Sequence, residues 1–399
     1  MKKIVLVNQS TGYLMIDIVN AYAEKYSDVV LLAGSFDTLG RTLNNSVKIH
    51  KIVIYVRTSF FMRTLTWFAA TLQVFFLLLW KYRHYRVVYV TNPPMSYFPS
   101  LILKHQYSVI VYDVYPDALS NVGICQDSWI YKVWAKINRR IYSNADKIYT
   151  LSSGMAALLL KYCDKDKIVV IPNWMGMDSL LRIEKTENPF ILKHNLLDKF
   201  VVMYSGNIGF THNVESIIEI AEEVKENEDI IFLIIGEGLK KNELMSWVKD
   251  KNLKNCYFLP WQPSQDLKYS LSAADISIIT LTDETALVSV PSKTYNLLAV
   301  GTPLLCIASD ESELAHLVAA YDCGRCFTKE KVAAMAGFIK ELKTDNMLWR
   351  TYSNNSMKAS LNYTYKNAEQ YVFVFHAFGI MHSSSGEFAF GYQYDTAVL

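Results

Sequence analysis

Two successive runs of short apolar segments, each alternating with helical patterns, restrict what this chain can fold into. The first run comprises Ile4–Asn8, Val29–Ala33, Ile49–Tyr55, Val87–Thr91, Val109–Asp113, Lys147–Leu151 and Ile168–Ile171. The second comprises Phe200–Ser205, Ile230–Ile235, Cys256–Leu259, Asp275–Thr280 and Leu304–Ile307. Strands that alternate with helices pair in parallel, because each crossover must pack back onto the sheet it left. The expected fold class is therefore α/β, with two Rossmann-like parallel-sheet domains facing a cleft. A length of 399 residues agrees, since one core of this type rarely grows so large.

Periodicity weakens from Met177 to Lys199, which places the boundary between domains of residues 1–183 and 184–366. Tyr365–Val374 reads as a returning helix, so 367–399 forms a third segment. Its end, Phe375–Leu399, is rich in Ser, Gly and aromatic residues, has no period, and reads as a disordered or foreign tail. The six cysteines are scattered, and the lone Cys323–Cys326 CxxC lacks a second pair at zinc spacing, so no metal site is expected. Ile4–Asn8 is too short an apolar run for a signal peptide, and reduced thiols point to a cytoplasmic setting.

The formal net charge of +2 hides a local imbalance. From Thr38 to Tyr112 there is no Asp or Glu, while Arg41, Arg57, Arg63, Lys81, Arg83, Arg86 and Lys104 fall in that interval. A field of this sign attracts a lipid headgroup surface, nucleic acid or a phosphorylated substrate. The basic residues are interleaved with strands and no RNA- or DNA-binding motif is present, which argues against nucleic acid. Inside the interval lies the least polar stretch, Trp67 to Trp80, bracketed by Arg63, Arg83 and Arg86. Three readings compete there: a helix buried in an α/β layer, a helix lying in a membrane interface, and a short span.

Polar residues, prolines and glycines recur just past the strand ends, where open α/β sheets bind ligands. In the first domain these are the Gln9-Ser10-Thr11-Gly12 turn, Thr91-Asn92-Pro93-Pro94, Asp113-Val114-Tyr115-Pro116-Asp117 and Pro172-Asn173-Trp174. In the second they are Ser205-Gly206-Asn207-Ile208-Gly209, Gly236-Glu237-Gly238, Pro260-Trp261 and Val290-Pro291-Ser292-Lys293. No strict dinucleotide fingerprint or P-loop occurs. Pro291 suits the first turn of a helix, Ser292 could cap it, and Gly301 could stop it. A lysine in a first turn opposes the helix dipole, so Lys293 needs another reason to be there, such as a phosphate docked at the helix start.

Taken in order, these motifs resemble those of the GT-B fold glycosyltransferases of family 4, in the bacterial branch that builds surface polysaccharides. The resemblance runs from about Met1 to Tyr371 and is densest from Val201 to Cys326. It implies GT-B architecture and transfer of a sugar from a nucleotide-sugar donor, a UDP-sugar before a GDP-sugar, to a polyprenyl-diphosphate-linked saccharide acceptor. Transfer would retain anomeric configuration without a metal or other cofactor, at an anionic membrane surface on the inner face of the plasma membrane. Products would be O-antigen or capsule. Carried over by position, Lys293 and Asn207 would meet the donor diphosphate, with Ser292 beside them. Glu237 and the backbone at Leu259 would hold the nucleoside, and Gly12 would let the opposite domain approach. Asp113 and Asp117 would serve the acceptor, with Asn92, Arg63, Arg83, Arg86, Trp67 and Trp80 on the acceptor or membrane side.

The chain departs from the family where two glutamates usually stand eight positions apart, having Val288 and Asn296 there. The second glutamate would bind ribose; Asn can still hydrogen-bond but without charge assistance. The alternatives are a nucleotide-sugar epimerase of the same fold or a catalytically impaired membrane-binding relative.

Overall fold

A computed structural model describes residues 2–373 apart from 57, 119–124, 178–179, 210–211 and 283–289. Two parallel sheets are present. The first contains β1 (Lys3–Gly12), β2 (Asp28–Asp37), β3 (Lys48–Lys51), β4 (Arg86–Val90), β5 (Tyr107–Val111), β6 (Ile148–Thr150) and β7 (Ile168–Val170), in the order β3-β2-β1-β4-β5-β6-β7. The second contains β8 (Phe200–Ser205), β9 (Ile230–Ile235), β10 (Cys256–Leu259), β11 (Ile276–Thr280), β12 (Leu304–Ile307) and β13 (Gly324–Phe327), in the order β10-β9-β8-β11-β12-β13. These are the two domains of a GT-B architecture.

Both faces of each sheet are covered, which is why the strands read as continuous apolar runs. In the first domain Ile4, Leu6, Val29 and Leu31 pack on helix Tyr13–Lys25. The alternate residues Val5, Val7, Val30 and Leu32 belong to the opposite layer. That layer takes Ala70, Val74 and Leu78 from one helix, and Ala135, Ile141 and Tyr142 from helix Trp129–Asn144.

Tertiary context moved several boundaries. β1 does not turn after Asn8: Ser10, Thr11 and Gly12 stay in register with Ser35, Phe36 and Asp37, so the ladder outweighs the turn chemistry. β3 is shorter than Ile49–Tyr55, because the Val53 N–H donates to the Gln73 side chain (3.0 Å) instead of a strand. The 177–199 stretch is not a loose linker. Asn188 caps helix Pro189–Lys193 and donates to the Tyr269 carbonyl (2.9 Å), while Lys185 meets Asp275 at 2.6 Å. These contacts bind it to the second domain and give Asp275, just before β11, a structural partner. Helix Lys293–Ala299 starts two residues after Pro291, and Ser292 makes no side-chain cap.

The apolar stretch at 67–80 belongs to a longer helix, Phe60–Phe76, extended by a π-type turn, Leu77–Lys81. By length and composition Phe61–Lys81 could cross a membrane. The buried-helix reading holds for one side only, the Ala70, Val74 and Leu78 side. The other side exposes Phe61 (71%), Leu65 (47%), Phe68 (60%), Leu72 (46%), Phe76 (38%) and Trp80 (70%), a stripe that recurs every three or four residues.

After β13 and helices Val332–Thr344 and Asn346–Ser360, the chain returns to the first domain. There the buried Tyr371 packs on Tyr149 (4.9 Å between ring centroids), and its carbonyl accepts from the Tyr22 (2.8 Å) and Tyr149 (3.0 Å) hydroxyls. Val288 and the tail beyond Phe373 lie outside the described residues.

Candidate active site

Strand order locates the site. In each sheet the chain winds one way from its first strand and then returns to the other side of it, which creates a switch point between β1 and β4 and another between β8 and β11. The crevice past the carboxyl ends at such points is where doubly wound sheets take ligands. Gly12 ends β1 and Asn92 follows β4 at the first switch point; Gly206 and Lys293 follow the strands flanking the second.

At the second point the geometry turns on one amine. Lys293 Nζ is buried, has no hydrogen-bond partner among the described residues, and lies 4.0 Å from the Tyr204 ring centroid. A Cβ on Gly206 would lie 2.8 Å from that Nζ and 3.1 Å from the Tyr204 hydroxyl, so glycine keeps the approach open. Burial drives the amine pKa down to about 7, with a small opposing influence from Cys306. An ammonium without an acceptor is costly, and the cost disappears when an anion arrives. His212, which the sequence reading missed, is near enough that burial first and the Lys293 charge second lower its imidazole below its ordinary value. His212 also lines a cavity of about 370 Å³ past the ends of β11, β12 and β13, whose walls carry Lys240 and Lys329 together with Glu215 and Glu330.

The glycine turns beside it are structural. The Ile208 N–H donates to the Glu237 carbonyl (2.9 Å) and the Lys240 N–H to the Ile208 carbonyl (3.1 Å). Gly236, at φ +149°, would place a Cβ 2.0 Å from the Gly206 carbonyl oxygen, so only glycine lets the two turns meet. Asn207 is exposed, and its carbonyl accepts from the Tyr204 hydroxyl at 2.7 Å. Glu237 is exposed and paired with Lys241 at 2.7 Å. The Leu259 carbonyl is taken by the Gly236 N–H (3.0 Å), while Ser292 is exposed. Asn296 is already engaged: its Oδ1 accepts from the Gly176 N–H (2.9 Å) of the crossover between the domains. A second bridge runs from the Gly154 N–H to Glu313 (2.8 Å).

In the first domain a Cβ on Gly12 would meet nothing closer than the Asp37 carbonyl at 3.9 Å, so packing within the protein does not require glycine there. The next residue, Tyr13, donates to the Trp174 carbonyl (3.0 Å). The Thr91-Asn92 motif holds the end of β5: Thr91 Oγ1 accepts from the Tyr112 (3.0 Å) and Asp113 (3.3 Å) amides, and the Asn92 carbonyl accepts from Gln9 (2.8 Å). Asp113 is exposed, but the walls around it exclude enough water to raise its carboxyl above the ordinary value. Asp117 is placed differently. Its carboxylate accepts from Tyr131 (2.9 Å), Lys161 (2.8 Å) and Tyr162 (2.5 Å), which makes it an anchor between elements. Arg86 pairs with Asp146 (2.9 Å) at the amino end of β4, away from the strand ends that carry the site, whereas Arg83 is exposed. Arg63 and the half-buried Trp67 sit in the first turns of the long helix, and exposed Trp80 stacks on Phe76 at its far end (5.0 Å).

The sequence matches two family descriptions in tandem: a glycosyl transferase 4-like domain over residues 17–174 and glycosyl transferases group 1 over 185–359. One match falls on each sheet domain. Each half of the chain thus carries a glycosyl transferase domain. Among curated proteins it is 25% identical over 258 residues to the probable glycosyltransferase WbjE of Pseudomonas aeruginosa, across 63% of this chain and 64% of that protein. It is 26% identical over 259 residues to the putative colanic acid biosynthesis glycosyl transferase WcaI of Escherichia coli, across 62% of this chain and 63% of that protein. The chain thus aligns with a little under two thirds of the length of either relative. Among solved structures, WaaG, a glycosyltransferase involved in lipopolysaccharide biosynthesis, superposes with a TM-score of 0.69 at 13% identity, over 94% of this chain and all of that one (100%). Anabaena HepE in complex with UDP-glucose gives 0.69 at 15% identity, over 94% of this chain and 99% of that one. These likenesses establish the GT-B fold.

Proposed function

We propose that this protein transfers a sugar from a nucleotide-sugar donor, held by the second domain, to a lipid-linked acceptor presented to the first, in surface-polysaccharide synthesis. One observation carries the reading: the buried Lys293 amine without an acceptor, at the switch point beside Gly206. A donor diphosphate entering there supplies the missing counter-charge. As the glycosidic bond to that diphosphate breaks, negative charge grows on the leaving nucleotide, and a preorganised cation in a water-poor site stabilises the growing charge most. The amine does this without a metal. A UDP-sugar is the donor the reading favours, in keeping with the UDP complexes of HepE.

Asp113 is the proposed acceptor-side base or orienting group, and retention of configuration is the expected outcome. The exposed stripe of the Phe60–Phe76 helix faces the apolar part of an anionic membrane interface, with nearby basic residues at headgroup level. This reading places the enzyme peripherally on the cytoplasmic face. Asn296 serves the crossover instead of a ribose, so recognition of the nucleoside falls to the ends of β9 and β10.

The test is nucleotide release from a panel of UDP- and GDP-sugars, with and without a bacterial lipid extract as acceptor source. Release that depends on the extract and is lost in Lys293→Met supports transfer. Conversion of the donor sugar without any acceptor would point to an epimerase instead, and no turnover under any condition would count against the assignment.

A further inference from the structure

Arg63 lies on the side of its helix opposite the exposed stripe and is framed by aromatic rings. Its Nε donates to the Tyr55 hydroxyl (3.1 Å), and its guanidinium lies over Trp67 at 5.5 Å from the ring centroid. Tyr55 and Trp67 are themselves stacked, with centroids 5.8 Å apart and planes at 22°. Among the described residues no carboxylate pairs with Arg63, and the sequence from Thr38 to Tyr112 offers none. Its guanidinium is therefore oriented without being neutralised, which is how arginine is held when it awaits a phosphate or carboxylate.

The first turns of this helix lie at the acceptor side: the Gln9 side chain donates to the Thr66 carbonyl (3.1 Å), while the Gln9 N–H donates to the Asn92 carbonyl (2.8 Å). Tyr115, stacked on Trp134 (5.6 Å, 14°), feels the charges of both Asp113 and Arg63: burial raises its phenol most, Asp113 adds to this, and Arg63 opposes it. A cation, a carboxylate and flat aromatic faces thus converge at the cleft end of the first sheet. Aromatic faces suit a sugar ring, and a cation beside them suits an ester-linked phosphate.

We propose that Arg63, positioned by Tyr55 and Trp67, binds the phosphate that joins the acceptor saccharide to its lipid, leaving the saccharide against Tyr115 with its reacting hydroxyl toward Asp113. The proposal rests on the reading of Asp113 as the acceptor side. It gives the Phe60–Phe76 helix two duties, since its outer stripe meets the membrane and its inner first turn meets the substrate at headgroup height.

Geranyl diphosphate, a soluble prenyl diphosphate, is the probe, titrated calorimetrically with saturating UDP present to occupy the Lys293 site. Wild type binds it more tightly than geraniol or inorganic pyrophosphate. Arg63→Gln weakens that binding at least about tenfold, Arg63→Lys weakens it less, and UDP affinity is unchanged in both. Lys293→Met does the reverse, so a failure of the donor reading shows as intact UDP binding in that variant. No binding to wild type, or equal binding in Arg63→Gln, overturns the proposal. Vesicles of phosphatidylcholine with phosphatidylglycerol separate the remaining source of phosphate. Arg63→Gln still sediments with them, and loss of sedimentation would make Arg63 a bilayer contact and overturn the substrate site.

Discussion

Replacing Lys293 with methionine should stabilise the nucleotide-free protein while removing its affinity for donor. The wild-type amine titrates near 7 in the fold against an ordinary value of 10.5. Each pH unit of that gap corresponds to about 1.4 kcal/mol, so burying the ammonium costs at most about 5 kcal/mol at low pH. Loss of the contact with the Tyr204 face offsets about 1–2 kcal/mol of this. A net gain of about 3 kcal/mol then remains near pH 6. The sign follows from where the proton sits. Between 7 and 10.5 the unfolded chain holds it and the folded chain does not, so wild-type stability rises with pH across that window. The advantage of Lys293→Met is therefore largest below 7 and fades as the pH approaches 10.5. Hydrogen exchange at the β8 and β12 amides reads the opening of the second domain, and wild type and variant are compared at each pH. A variant less stable than wild type near pH 6, or a difference that does not change with pH, refutes the reasoning.

Three further outcomes follow from the geometry. Gly206→Ala forces a Cβ to within 2.8 Å of Lys293 Nζ, so UDP affinity drops while thermal stability barely moves. The expected drop is about tenfold, or 1.4 kcal/mol. Gly236→Ala, at φ +149° and 2.0 Å from a carbonyl oxygen, instead destabilises the fold. A loss of the order of 3 kcal/mol is expected from strain of that kind. Equal effects of the two alanines on stability would contradict the division between an open and a packed glycine. At the exposed apolar stripe, the double change Phe68→Glu and Leu72→Glu abolishes sedimentation with phosphatidylglycerol vesicles, and added salt weakens wild-type binding as it screens the charges. Undiminished sedimentation of the double variant would exclude the stripe from the interface.

Much of this architecture was legible in the sequence, for a physical reason. Strands buried on both faces, such as Phe200–Ser205, Ile230–Ile235 and Leu304–Ile307, leave uninterrupted apolar runs whose ends coincide with the observed strands. Boundaries failed where distant partners decide them. Ser10 to Gly12 look like a turn until β2 is placed beside them, and Ile52 to Tyr55 look like strand until Gln73 captures the Val53 amide. The site was partly readable. Lys293 stands out as a candidate because it begins a helix, where its charge opposes the dipole. Asp117 could not be told from Asp113 by spacing, since only the fold brings Tyr131, Lys161 and Tyr162 around one carboxylate and leaves the other open. Asn296 raised the question of a lost ribose ligand, and the Gly176 amide 2.9 Å from its side chain gives it different work. His212 carried no local signal, because it reaches the amine only through the loop after β8.

Calorimetric titration of UDP near pH 8.5, repeated in buffers of different ionisation enthalpy, tests the central claim most directly. An amine largely neutral before binding must take up a proton when a diphosphate settles against it, so about one proton is absorbed per nucleotide bound, and the uptake vanishes in Lys293→Met. Binding without proton uptake, or uptake that persists in that variant, would mean that Lys293 does not receive the diphosphate.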